Sequence, residues 1–379
     1  MTDRPAEPTV SPPPPPPPAP WDEPPRKRVS RWWYALLVLI VILIGGVFAG
    51  FWIRLPYYTV APGGEVPINR HIEVDGAKVY PPDGEVLLLF VRERARVNVW
   101  AYVQARLDAN IDLFPERDIT QGGRFTPEDI RLQAQVAMAN SQNAAKKVAL
   151  EAIGYEVPLA TQGVIVLTTV PGTPADDALA RNDVILSTDG VPIRDLDALG
   201  KHIRNLDPGD EVTLVVRRAG RERTVRVRTT RGEDGGTIIG VNVTQRYDFP
   251  IEVDIDTSDI GGPSAGLAMT LAIIDDLTPG ELTAGKTVAV TGTISTDAKV
   301  GEIGGIEQKA VAARAAHAEL FLVPKCVDRE SRAACRRDLR RARERAGDIP
   351  VVPVATLDEA LRALRDAGGD PVRRGANAA

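Results

Sequence analysis

Two side chains stand out for the chemistry their surroundings permit. Ser264 lies in Ile260-Gly261-Gly262-Pro263-Ser264-Ala265-Gly266. A strand pattern, Ile251–Asp256, runs into this turn, and an apolar stretch, Leu267–Ile274, reads as a buried helix leaving it. The hydroxyl is thus placed at a strand-to-helix turn, beside the positive end of a helix. Glycines there let a substrate backbone approach, and free N–H groups can hold a developing oxyanion. The plainer reading is a helix start with a serine near its cap. As a nucleophile, the serine needs a base. His71, His202 and His317 lie in no obvious motif. A lysine serves when burial lowers its pKa, and Lys286, Lys299 and Lys309 all follow Ser264. Lys309 sits in the helical pattern Ile306–Ala316, where its same-face neighbours are Ile306, Ala312, Ala313 and Ala316. Desolvation among these small apolar groups favours a neutral amine. The alternative for Lys309 is a snorkelling lysine at a helix edge. Lys286 and Lys299 lie in polar, turn-like company and read as solvated.

Three segments carry a resemblance: Gly262–Gly266, Val290-Thr291-Gly292-Thr293-Ile294, and Gly304-Gly305-Ile306-Glu307-Gln308-Lys309. In order and spacing they resemble the proteolytic domain of Lon-type serine proteases. The resemblance implies Ser264 as nucleophile, Lys309 as general base, and Thr291 hydrogen-bonded to the lysine amine. Gly262 and Pro263 would support the nucleophile turn. The pattern departs from the family at Gly261, where many members carry an acidic residue. Asp259 is nearby but receives no role from the resemblance.

The chain has 379 residues and a formal net charge of −5, enough length for two or three domains and no global case for nucleic-acid binding. Cys326 and Cys335 are too few for a disulfide scaffold. They can pair if the region is extracytoplasmic, or stay as two free thiols. No Cys/His cluster suggests a metal site, and no cofactor is expected.

Residues 1–30 contain the unbroken proline run Pro12–Pro18 and read as a disordered, Pro-rich cytoplasmic tail. Residues 32–53 carry no charge and lie between Arg31 and Arg54. That length can cross a bilayer, with Trp32, Trp33, Tyr34 and Trp52 at its interfaces. Arg26, Lys27, Arg28 and Arg31 before the span predict a cytoplasmic N-terminus and an extracytoplasmic remainder. A cleaved signal peptide fits less well, because about thirty residues precede the run.

Residues 55–83 read as turn-rich, with short strands near Val60 and Ile68–Val74, and Glu85–Val91 as a buried strand. Residues 95–109 read as helical. Thr126-Pro127-Glu128-Asp129 starts a helix reaching about Ile153, with room for a break. Its Ser141-Gln142-Asn143-Ala144 segment is similar to one in Lon proteolytic domains, which suggests that residues 60–155 are the first part of that fold.

Residues 156–232 follow a different plan. Gln162–Val166 reads as a loop leading into a strand, Val170–Ala178 as a turn plus short helix, Asn182–Leu186 as a strand, and Asp195–Leu206 as an amphipathic helix. Two strands, 211–217 and 223–228, close the unit. It resembles a PDZ domain of the bacterial protease-associated type. Such domains add a peptide to a sheet edge. The resemblance implies peptide binding by Gln162, Gly163, Val164, Ile165 and Val166, opposite helix residues 198–203. A PDZ fold acting only as a spacer is the other reading.

Residues 237–366 then carry the rest of the proteolytic domain, including strands at 288–294, 319–324 and 349–354 and a basic helix around 336–345. Residues 367–379 read as a flexible tail. Gly280-Glu-Leu-Thr-Ala-Gly285-Lys286-Thr287 matches a P-loop spelling, but a P-loop needs a strand before it and a helix after it. Here a helix precedes and a strand follows, so no nucleotide is expected.

The expected architecture is an α/β (α+β) Lon-type proteolytic domain with an inserted PDZ domain, preceded by one transmembrane helix. The expected activity is ATP-independent serine endopeptidase cleavage of protein or peptide substrates at the cell membrane. An inactive PDZ scaffold is the alternative, and a homo-oligomer is compatible with either.

Overall fold

The computed structural model describes residues 30–123, 125–232, 235–257, 260–328 and 331–372. The Pro-rich segment, the Arg26–Arg28 cluster and Asp259 lie outside the described residues. The chain divides into two compact units at Ile53/Arg54.

The first unit is helix α1, Arg31–Trp52. Its 22 residues rise by about 33 Å, enough for a hydrocarbon core of about 30 Å. Leucine, isoleucine and valine side chains are exposed along its length. Apolar surface on all sides suits lipid rather than water.

In the second unit a six-stranded sheet runs in the order β18 (Val351–Val354), β17 (Leu320–Pro324), β14 (Thr287–Val290), β3 (Glu85–Arg94), β1 (Tyr57–Pro67), β4 (Asp112–Pro115). The first four are mutually parallel, and β1 and β4 are antiparallel additions. Strand alternation sorts the side chains. Val86, Leu88, Val288, Val290 and Leu322 enter one core with helices α4 (Pro127–Ala152), α6 (Gly266–Leu277) and α9 (Leu357–Asp366). Leu87, Leu89, Ala289, Phe321 and Val323 enter another with α7 (Ile306–Ala315) and α8 (Arg332–Ala346). Strands contributed from before residue 100 and after residue 280 therefore share one sheet. Small pairs flank it: β2 (Ile72–Asp75) with β13 (Glu252–Ile255), and β15 (Thr293–Ile294) with β16 (Val300–Gly301).

The intervening stretch forms a second sheet, ordered β12 (Val241–Tyr247), β5 (Leu159–Thr169), β6 (Val184–Thr188), β8 (Glu211–Arg218), β9 (Arg221–Arg228). Strand β7 (Val191–Pro192) pairs with β6, and β10 (Thr230–Arg231) with β11 (Thr237–Ile238). Helix α5 (Leu196–Arg204) covers a core of Val164, Val166, Ile185, Leu199, Val212 and Leu214. In the chain α2 (Val99–Leu107) lies between β3 and β4, and the one-turn α3 (Glu116–Ile119) follows β4.

Several expectations change. Residues 57–67 are one strand, not a run of turns. Pro62-Gly63-Gly64 makes a bulge in it, and Gly63 lies so close to Phe90 that a Cβ would meet its carbonyl oxygen at 2.4 Å. Residues 171–178 are turns, not a helix. The strand expected over 288–294 is interrupted at Thr291-Gly292. Helix α4 is unbroken and opens on a capping box between Thr126 and Asp129. Lys286 is half-buried rather than free in solvent: its amine donates to the Ala367 carbonyl at the end of α9. Residues 367–370 are held as well, since Asp370 exchanges hydrogen bonds with Glu281 through main chain and carboxylate. The stretch matching the P-loop spelling is the turn between α6 and β14.

Candidate active site

The turn that carries Ser264 is gripped from several sides. Pro263–Ala265 forms a single 3-10 turn opening α6. Ser141 Oγ, on α4, donates to the Pro263 carbonyl at 3.0 Å, and Gly262 N–H donates to the Ala134 carbonyl at 2.8 Å. From the interruption after β14, Gly292 N–H donates to the Ser264 carbonyl at 3.0 Å. Gly266 admits this packing: a Cβ there would sit 2.8 Å from both Ile294 N and Ser141 Oγ. The N–H of Ser264, at the start of the turn, has no preceding turn of carbonyls to bond.

Lys309 approaches from α7. Gly305, in a left-handed conformation, starts that helix against Val91, and Lys309 lies one turn in. The lysine is 2 % exposed and its neighbours Ala310, Ala312 and Ala313 are buried. Its Nζ is 2.7 Å from Ser264 Oγ and 2.9 Å from Thr291 Oγ1. Thr291, fully buried, donates in turn to the Ser264 carbonyl at 3.3 Å. Burial alone lowers the Lys309 pKa from 10.5 to about 7. Near neutral pH a large fraction of this amine carries a lone pair facing a hydroxyl. Such a pair can transfer the hydroxyl proton and generate an oxygen nucleophile.

A cleft of about 790 Å³ opens over the pair, lined among others by Tyr58, Phe90, Phe114, Ile130, Ile260 and Glu302. Apolar walls with a few polar groups suit an extended polypeptide. Ser264, Lys309 and Thr291 are therefore brought together, with Gly262 and Pro263 at the turn itself. Two contributors escaped the sequence reading: Ser141, which steadies the turn, and Glu302 on the cleft wall. Ser141 was visible only as part of a familiar helical segment. Among the described residues no group of three or more His, Cys, Asp or Glu side chains could hold a metal ion.

The peptide-pairing residues expected in the second sheet are placed differently. Strand β5 pairs with β12 on one side and β6 on the other, so Val164, Ile165 and Val166 have no edge to offer. Gln162 donates to the Leu186 carbonyl at 3.0 Å, and Gly163 N–H to the Ile193 carbonyl at 2.7 Å, so both serve the fold. The edge strand on the β5 side is β12, and β9 forms the opposite edge. The Gln245 side chain of β12 accepts from Leu196 N–H and donates to the Arg194 carbonyl, each at 3.2 Å, tying the strand to the start of α5. Strand β12 lies beyond the expected unit, which ended at residue 232.

Residues 234–363 match the family model of the Lon protease (S16) C-terminal proteolytic domain. The chain thus carries a Lon-type proteolytic domain. Residues 151–229 match the PDZ domain, so the second sheet belongs to that class. The chain is similar to the Lon protease of Vibrio parahaemolyticus, with 34% identity over 127 residues, covering 33% of this chain and 15% of that protein. It is also similar to the Lon protease of Phenylobacterium zucineum, with 37% identity over 134 residues, covering 34% of this chain and 14% of that protein. It therefore spans a small part of these relatives' length. Among solved structures, the PDZ domain of an SdrC-like protein from Listeria monocytogenes is 22% identical, covers 23% of this chain and 92% of that one, and has a TM-score of 0.22. The corresponding domain from Listeria innocua is 23% identical, covers 21% of this chain and 92% of that one, and has a TM-score of 0.21.

Proposed function

We propose that this protein is a membrane-anchored serine endopeptidase that cleaves extracytoplasmic polypeptides with a Ser264/Lys309 dyad and without ATP. The observation that carries this reading is the 2.7 Å approach of a buried, carboxylate-free lysine amine to the Ser264 hydroxyl. Neutral Lys309 takes the hydroxyl proton as Ser264 Oγ attacks the scissile carbonyl. The Ser264 N–H, at the helix start, stabilises the oxyanion. The lysine then returns the proton to the leaving amine, giving an acyl-enzyme. It next takes a proton from the deacylating water and restores the serine. Thr291 accepts from the amine and holds it on line.

Residues 60–155 and 237–366 are read as two parts of one proteolytic domain, because β3 and β14 pair in one sheet. In the PDZ unit a peptide adds to the sheet at the edge strand β12. Anchoring rests on α1, whose length and composition suit a bilayer. An extracytoplasmic site is supported by the Cys326–Cys335 disulfide, a bond favoured in oxidising compartments.

Casein incubated with the purified protein, with and without ATP, tests the reading beside Ser264→Ala. Cleavage in the wild type alone, indifferent to ATP, is the expected result. A serine-reactive probe should label Ser264. Peptide binding with no turnover and no labelling would leave a tethered scaffold instead.

A further inference from the structure

Three consecutive residues of α4 reach three separate parts of the chain. Successive side chains on a helix point about 100° apart, so Ser141, Gln142 and Asn143 together span more than half of its circumference. Ser141 Oγ donates to the Pro263 carbonyl at 3.0 Å, beside Ser264. Gln142 Nε2 donates to the Ile255 carbonyl at 3.0 Å and to Thr257 Oγ1 at 2.8 Å, where β13 ends. Asn143 Nδ2 donates to Thr244 Oγ1 at 3.0 Å and to the Gln245 carbonyl at 3.2 Å, in β12 of the PDZ unit. All three attachments fall on the stretch that leads from β12 through β13 to Ser264. Helix α4 lies along that stretch as a splint.

Strand alternation shows which side of β12 Asn143 occupies. Val166 N–H donates to the Asp183 carbonyl, and the Val166 carbonyl accepts from Asn182 N–H, both at 2.8 Å and both toward β6. The neighbouring Ile165 therefore turns its main chain toward β12, where it lies opposite Thr244. Gln245, the next residue, turns its carbonyl off the sheet, and Asn143 meets it there. Asn143 thus caps one end of the edge proposed to receive a peptide. Thr244 is 3 % exposed, so losing the asparagine removes the donor to a buried hydroxyl. Ala144, Ala145, Val148 and Ala149 pack into the core shared with α6, and α4 is continuous from Pro127 to Ala152. A helix held in this way carries a displacement at Asn143 to Ser141.

We propose that Asn143 is a positioning residue: through it β12 of the PDZ unit holds α4, and α4 holds the Ser264 hydroxyl on line with Lys309. The inference rests on the reading of Ser264 and Lys309 as a proteolytic dyad. It gives the PDZ unit a part in turnover that is separate from capturing substrate.

The test uses the full chain. Casein cleavage gives kcat and KM, and the rate at which a fluorophosphonate probe labels Ser264 reports on the hydroxyl without substrate capture. Asn143→Ala removes both bonds to β12. It should lower kcat and the labelling rate about tenfold with KM little changed, as expected when a reacting group is slightly misplaced. Thr244→Val removes one of the two bonds and should cause a smaller loss of the same kind. In the Asn143→Ala background it should add nothing, because the link is already gone. Arg218→Lys controls for general loosening. It weakens the pair with buried Asp183 inside the PDZ unit, 2.6 Å in the wild type, and touches nothing on α4. It should lower the melting temperature and leave kcat and labelling unchanged. An Asn143→Ala protein that melts lower yet keeps its kcat and labelling rate overturns the proposal, since a purely structural stitch does only that. A loss confined to KM also overturns it, in favour of substrate capture. If Arg218→Lys slows labelling as much as Asn143→Ala does, the PDZ unit acts only through overall stability and the proposal falls. Should Asn143→Ala fail to fold, Thr244→Val decides by the same split between kcat and KM. A wild type that neither cleaves casein nor takes the probe overturns the dyad reading itself, and the positioning role with it.

Discussion

Buried ionisable groups lie near both ends of helix α6, Lys309 of α7 at its start and its own Asp275 and Asp276 at its end, and the same physical force acts on each with opposite consequences. At its start, Lys309 meets Ser264, and burial lowers the amine pKa from 10.5 to about 7. At its end, Asp275 and Asp276 are buried among Leu277, Leu282 and the core. Burial raises their carboxyl groups from 3.8 to about 7 and about 6. Asp275 keeps one hydrogen bond, from Leu282 N–H at 3.0 Å, while its other oxygen is buried without a partner. Asp276 accepts from Asn69 Nδ2 at 3.2 Å. Desolvation favours the neutral form in all three. For the lysine that form is the base the proposed chemistry needs. For the carboxyls it is only the cheaper way to occupy the core, and a negative charge there would also face the negative end of the helix dipole.

The largest effect separates the two ends outright. Ser264→Ala and Lys309→Ala should each lower casein cleavage by roughly 10³-fold or more, since members of such a unit fail together. Lys309→Met keeps the volume and removes the amine. It should be as inactive as the alanine variant and fold normally. In the wild type, activity should rise as pH passes through about 7, the pKa of the buried amine. Full cleavage by any of these variants, or activity that is flat from pH 5 to 9, would sink the assignment.

The next effect concerns stability against pH. Asp275 has a folded pKa above its unfolded value. Between about pH 4 and 7 the folded state holds a proton that the unfolded chain has lost, so stability falls as pH rises, by about 1.4 kcal/mol per unit. Lys309 is depressed, so between about pH 7 and 10.5 the unfolded chain holds the extra proton and stability rises with pH. Asp275→Asn should shallow the acidic limb, leaving the part between about pH 4 and 6 that Asp276 contributes, and Lys309→Met should flatten the alkaline limb alone. Thermal melts across this range read both slopes. An unchanged acidic limb in Asp275→Asn would refute the account of that end.

Thr291→Val follows in size. It removes the acceptor at 2.9 Å from the amine and the donor to the Ser264 carbonyl. A loss of about 10-fold to 100-fold in kcat, with KM little changed, is expected for a group that orients a base. A change confined to KM would argue that Thr291 shapes the cleft instead.

Much of the site was readable before the fold because its parts are local. Strand, turn and helix around Ser264 are consecutive, and the alanines around Lys309 share its own helix. Where an outcome depended on which distant segments pair, reading failed. Pro62-Gly63-Gly64 spells a turn, yet β3 lies alongside and converts it to a bulge. Val164–Val166 looks like an edge strand until β12, from residues 241–247, takes that edge. Lys286 looked solvated because the α9 carbonyl it reaches belongs to residue 367. Asp275 and Asp276 follow the apolar stretch read as a buried helix, and α6 is covered over its whole length, the two carboxylates included. Hydropathy along one segment carries no information on what the rest of the chain lays over it.

The smallest effect sharpens the contrast at the acidic end. Asn69 Nδ2 donates to the Asp276 carboxylate, and its Oδ1 accepts from Val86 N–H at 3.1 Å. The first bond favours the charged carboxylate against desolvation, whereas Asp275, despite its bond from Leu282 N–H, is raised further by the charges of Glu281 and Asp276. Asn69→Ala removes both bonds. The loss at Val86 does not depend on pH, whereas the loss at Asp276 grows once the carboxyl ionises. The variant should therefore be destabilised by about 1 kcal/mol more at pH 8 than at pH 5, the usual difference between a charged and a neutral hydrogen bond. In an Asp276→Asn background that pH dependence should vanish, because no charge remains to be supported. If the Asn69→Ala penalty is equal at the two pH values, Asp276 does not ionise in the folded protein over this range, and Asn69 serves only to pin β3.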